Sequence, residues 1–110
     1  MDQNEQLVSD TKEPEVDIFL LTKPPHSDRA RFCLRLVAGS ENAVLYLAGD
    51  GVYVLLEKAL ETLPKERVLA CKEDLEARGV QADDKAMLPA NFYERLVKDV
   101  MHERNRLYTF

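Results

Sequence analysis

The stretch RVLACKEDLEARGV, residues 67–80, decides how the rest of the chain is read. Val68 to Cys71 is a short apolar run of strand size, and it passes without a loop into a polar, helix-forming segment that Gly79 stops. A strand running straight into a helix is the repeating unit of a parallel α/β sheet. Cys71 falls where the strand ends and the helix begins. In parallel sheets that carboxyl edge is where ligands bind, and unpaired backbone N–H groups there favour a thiolate. Cys71 is therefore either a reactive thiol or a small buried residue, and the local pattern admits both.

The same unit recurs on either side. Val16 to Leu21 is a nearly continuous apolar run, as suits a strand covered on both faces, and Thr22-Lys23-Pro24-Pro25-His26 breaks it. Ser27 is placed to cap a helix over about Asp28 to Ala38, with Asp28 in its first turn. Ala30, Cys33, Leu34 and Val37 share one face of that helix, so Cys33 reads as a packed core thiol. Ala43 to Leu47 is a second strand. Ala48-Gly49-Asp50-Gly51 follows as a turn whose glycines let backbone approach a ligand or partner, but its spacing is neither a Rossmann fingerprint nor a Walker loop. A helix is expected from Val52 to Leu63, ended by Pro64. Beyond Gly79, Asp83 to Leu88 reads as a weak fourth strand. An amphipathic helix is expected from Asn91 to about Glu103 with Phe92, Leu96 and Val100 inward, then a last strand over residues 105–110. The alternation predicts a parallel sheet with helices on both faces.

The chain has 110 residues, of which 45% are hydrophobic, and a formal net charge of −5. That length predicts one domain, residues 16–110, behind a flexible polar tail, residues 1–15, whose other reading is a docking arm. Excess acid argues against direct nucleic-acid or anionic-membrane binding. No apolar run approaches the roughly 20 residues of a membrane span. Two cysteines without a secretory signal favour a reduced, cytoplasmic setting. Cys33, Cys71, His26 and His102 have no recognised metal-ligand spacing, which argues against zinc.

Several segments carry a family likeness. AVLYL…DGVY (43–53) resembles the "LLL…DGVY" segment of DsrH/TusB sulfur-relay proteins, and LACKEDLEARGV (69–80) resembles their "YAL-x-x-DL-x-ARG" segment. Ile18 to Leu21 with Lys23-Pro24-Pro25 resembles their first strand and turn, and Cys33-Leu34-Arg35-Leu36 their "CL-x-L". Asn91 to Val97 and the aromatic Phe110 resemble their end. The likeness spans Val16 to Phe110 and fits the DsrE/DsrF/DsrH superfamily, closest to the DsrH/TusB branch. It implies a three-layer α/β/α sandwich with a mainly parallel sheet of about five strands. It also implies homo- or hetero-oligomers with DsrE/DsrF-like or TusC/TusD-like subunits. Such assemblies pass sulfur as a cysteine persulfide to a downstream acceptor, in tRNA 2-thiouridine formation or in dissimilatory sulfur metabolism. TusB-type sequences usually lack a thiol where Cys71 stands. The DsrE/TusD branch carries its sulfur-accepting cysteine there, seven residues before an Arg-Gly pair, as Cys71 stands before Arg78-Gly79.

Two functions follow from this likeness. In the first, Cys71 accepts sulfane sulfur and passes it on by thiol attack on a persulfide, with no metal or organic cofactor. Lys72 favours its thiolate and Glu73 and Asp74 oppose it. His26, on the same sheet edge, is a candidate base or thiolate stabiliser, although an exposed loop histidine is the plainer reading. In the second, the chain is a non-catalytic DsrH/TusB-like assembly subunit and Cys71 is inert. A Cys33–Cys71 redox switch would need Cα atoms within about 7 Å, which a core-facing Cys33 disfavours. Asp50 and Tyr53 read as capping and packing residues. Arg78 and His102 read as cations near helix ends.

Overall fold

A computed structural model describes residues 16–110; the expected tail, residues 1–15, lies outside them. The elements in chain order are β1 (Asp17–Leu21), α1 (Asp28–Ala38), β2 (Ala43–Leu47), β3 (Val68–Ala70), α2 (Lys72–Arg78), α3 (Phe92–Met101) and β4 (Arg106–Thr109). All strand pairs are parallel and the sheet order is β3-β2-β1-β4.

Side chains alternate cleanly across this sheet, which creates two separate cores. Phe19, Leu21, Leu45, Leu47, Val68 and Ala70 point to one face, where they meet Ala30, Cys33 and Val37 of α1 and Leu75 of α2. Ile18, Tyr46, Leu69 and Cys71 point to the other, beneath Phe92, Leu96 and Val100 of α3. The three-layer arrangement follows from this double coverage. It also puts the two cysteines on opposite faces of the sheet, both as free thiols, which excludes a Cys33–Cys71 disulfide in this fold.

α1 forms as its sequence dictates. The Ser27 side chain accepts from the Ala30 N–H at 3.1 Å, and Gly39 donates back to Arg35 and Leu36. α2 ends as expected at Gly79, whose φ of 65° is left-handed. α3 runs from Phe92 rather than Asn91 and stops at Met101, before the expected Glu103, because His102 is extended.

Two expectations are corrected. The segment after β2 is not an α-helix from Val52 to Leu63 but two 3-10 segments, Gly49–Leu56 and Lys58–Leu60. Gly51, Val52, Val54 and Leu55 are all buried, a set wider than one α-helical face. Val52, Tyr53 and Val54 are also weak helix formers. Glu57, extended at φ −101° and ψ 166°, interrupts the winding. Among the described residues the sheet has four strands, not about five: Asp83 to Leu88 contributes one bridge, Met87 beside Leu69. Asp83 and Asp84 both adopt positive φ, which turns the chain where a strand would have to begin.

Phe92 is 3% exposed and its ring meets that of Tyr46 edge-on at 5.4 Å. Tyr46 is fully buried, and its hydroxyl donates to the Asp99 carboxylate of α3. Tyr46→Phe should lower stability by about 2 kcal/mol, since a hydrogen bond to a charged acceptor is lost; urea unfolding at pH 7 would check this.

Candidate functional site

Cys71 sits directly after β3 at the N-cap position of α2. Its backbone is tied at both ends: its N–H donates to Leu47 O at 3.0 Å and its carbonyl accepts from Leu75 N–H at 3.0 Å. Strand alternation turns its side chain to the α3 face. There it forms part of a cavity of about 380 Å³ with Glu73, Asp74, Phe92, Tyr93 and Glu94. Only 3% of the residue is exposed, yet it lies just beneath the surface, whereas Cys33 is deep in the opposite core.

The electrostatics at Cys71 oppose ionisation. Burial pushes its thiol pKa up, and the neighbouring Asp74 and Glu73 carboxylates push the same way. The Asp74 backbone N–H acts in the opposite direction. Sγ donates to Glu73 Oε1 at 3.5 Å, a contact that holds the proton on sulfur. Tyr93 is held above the ordinary phenol range, first by burial and then by the nearness of Cys71 and Asp74. Lys72 does not counter these effects from within the cavity; it borders a separate cleft with Leu75 and Val80. The helix-start position thus supplies an N–H, as expected, but burial, joined by the acids beside it, prevails.

His26 is not brought to Cys71. It lies on the loop after β1, 79% exposed, with Nε2 3.7 Å from Glu57 Oε2, and β2 intervenes between β1 and β3 in the sheet. His102 ends α3, and its Nδ1 accepts from the Arg104 N–H at 3.4 Å. Among the described residues, no group of three His, Cys, Asp or Glu side chains is placed to hold a metal ion.

Asp50 does not cap the segment that follows it. Arg78 Nε donates to Asp50 Oδ1 at 3.0 Å, and Arg78 also lies 3.6 Å from Asp74. Asp74 in turn accepts the Gly49 N–H at 2.7 Å. This network clamps α2 to the loop after β2 and so fixes the floor on which Cys71 stands. The spacing of Asp74 and Arg78, four residues apart, was its only trace in the sequence; the long-range partners had none. The glycines of that loop approach the protein itself: a Cβ on Gly51 would stand 2.1 Å from Leu21 O.

No curated protein matches the chain. A family model, DsrH like protein, matches residues 23–106. That match runs from the turn after β1 into β4 and takes in the Cys71 cavity, the Asp74–Arg78 clamp and the whole of α3. With the parallel sheet and its two helical layers, it shows that the chain belongs to the DsrH-like family of sulfur-relay proteins.

Proposed function

We propose that this protein is a sulfur-relay subunit in which Cys71 accepts sulfane sulfur as a persulfide and passes it to a partner protein. The carrying observation is position: Cys71 is the thiol at the carboxyl edge of the sheet that opens onto a cavity, while Cys33 is fully buried with its pKa pushed up to about 12. Attack by Cys71 sulfur on the outer sulfur of a donor persulfide forms one S–S bond and breaks another. The donor departs as a thiolate, and no net oxidation occurs.

Intact mass after incubation with a persulfide donor tests this. One added sulfur should appear on the native chain and on Cys33→Ser, and none on Cys71→Ser. No added sulfur on any of the three would overturn the proposal.

A second reading has its own support. Burial and adjacent carboxylates keep the Cys71 thiol protonated, as suits a non-catalytic subunit that holds DsrE/DsrF-like partners together, in keeping with the family's multi-subunit complexes. It predicts no sulfur uptake by Cys71 even inside the assembled complex. Two pathways suit either reading, tRNA 2-thiolation and dissimilatory sulfur metabolism. Loss of 2-thiouridine from tRNA in cells lacking the protein would select the first.

A further inference from the structure

We propose that the mouth of the Cys71 cavity and the outer face of α3 form one docking surface. Its occupant is a cysteine-bearing protein segment with a cationic side chain beside its thiol and an apolar residue to anchor it. This rests on the relay reading and names the chemistry of the partner.

Three carboxylates, Glu73, Asp74 and Glu94, border the cavity, and no cation among the described residues does. Asp74 is engaged by Arg78. Glu73 and Glu94 are exposed and have no ion-pair partner among the described residues. Such a rim repels an acidic approach and attracts a basic one. The rim continues into an apolar stripe. Tyr93, which lines the cavity, is followed on α3 by Val97 and Met101 at four-residue spacing, and the three are 57%, 59% and 76% exposed. The stripe extends about 12 Å from the thiol's mouth. Arg95 and Lys98 open onto the neighbouring cleft of α3, which Glu94 also borders. A second copy would bring the same acidic rim against itself, so the complementary occupant is a different, basic chain.

The arrangement also couples docking to chemistry. A cation seated beside Glu73 offsets one of the carboxylate charges that, after burial, keep the Cys71 proton in place, so a seated partner favours the thiolate. The transfer is balanced: R–S–SH and the Cys71 thiolate give Cys71–S–SH and the thiolate R–S⁻.

The test measures disulfide exchange on Cys33→Ser protein, which keeps Cys71 as its sole thiol. Cystamine, a cation, and 3,3′-dithiodipropionate, an anion of similar size, serve as probes. Both rates are normalised to those of a neutral small thiol. Cystamine should react about tenfold faster at low salt, and the ratio should collapse above about 0.5 M salt, where screening acts within a few ångströms. Glu73→Gln with Glu94→Gln should flatten it as well, and both sites are exposed, so the fold is retained. A mixed disulfide of a cysteinyl peptide bearing lysine and leucine should react several-fold more slowly with Val97→Asn, while cystamine is unaffected. Equal normalised rates, or no reaction of Cys71 with either probe, would overturn the docking surface. So would an unchanged peptide rate in Val97→Asn, or a homodimer that covers the stripe. Because exchange requires no persulfide, charge discrimination without sulfur loading would instead sink the relay reading alone.

Discussion

Replacing Gly51 by alanine should cost about 3 kcal/mol or more of folding stability. The added Cβ would stand 2.1 Å from the Leu21 carbonyl oxygen and 2.8 Å from its carbon. These are backbone atoms at the end of a central strand, and the same oxygen accepts from the Ala48 N–H at 3.1 Å. Relief would require moving either β1 or the first 3-10 turn, and both are anchored in the core. Gly51 is a matter of space rather than of backbone conformation, because only Gly49 and Gly79 among the described glycines have positive φ. Gly79→Ala provides the contrast. Its φ is 65° and nothing stands within 4 Å of an added Cβ, so its cost is conformational alone, about 1–2 kcal/mol. Urea unfolding of the two variants would check the order. A Gly51→Ala protein within about 1 kcal/mol of the native one would mean that the loop after β2 is not seated on β1.

The Cys33→Ala variant should be less stable than the native protein at pH 7 and more stable at pH 11. Burial pushes the Cys33 thiol from an ordinary 9.0 up to about 12. The folded state therefore keeps the proton while the unfolded chain releases it. A raised folded pKa gives a contribution that is whole below pH 9 and is lost as pH rises towards 12, at about 1.4 kcal/mol per pH unit. At pH 11 the loss is about 2–3 kcal/mol by that slope. Removing the sulfur costs about 1–2 kcal/mol in packing at any pH, so the two stability curves cross. Tyr46 steepens the alkaline limb in both proteins, because burial first and then the bond to Asp99 hold its phenol above the ordinary value. Guanidinium-free thermal or urea melts between pH 7 and pH 11 would reveal the crossing; parallel curves would refute it.

Much of this architecture was legible locally. Ser27 and Gly39 bound α1, and Gly79 bounds α2, because each supplies a cap that acts within a few residues. The strand at β3 and its passage into α2 were legible for the same reason. The 3-10 segments after β2 were not. Val52 and Leu55 fit an α-helical face, and only the seating of Gly51 against Leu21 and the burial of Val54 make the tighter winding preferable. The strand expected over Asp83 to Leu88 failed at Asp83 and Asp84, whose left-handed turns no alternation of apolar residues announces.

The site divides in the same way. Cys71 was locatable at a strand-to-helix junction, and Glu73 and Asp74 were visible beside it, since all act over neighbouring positions. The chain alone therefore determined where the thiol stands and which local acids oppose its ionisation, together with the parallel α/β class. What it could not determine is which groups arrive from afar. The sheet order β3-β2-β1-β4 separates His26 from Cys71 by a strand, α3 brings Tyr93 and Glu94 over the thiol, and α1 packs Cys33 on one face of the sheet while strand parity turns Cys71 to the other. Those relations depend on how distant segments pack and on the register between them, and only the tertiary structure decides them.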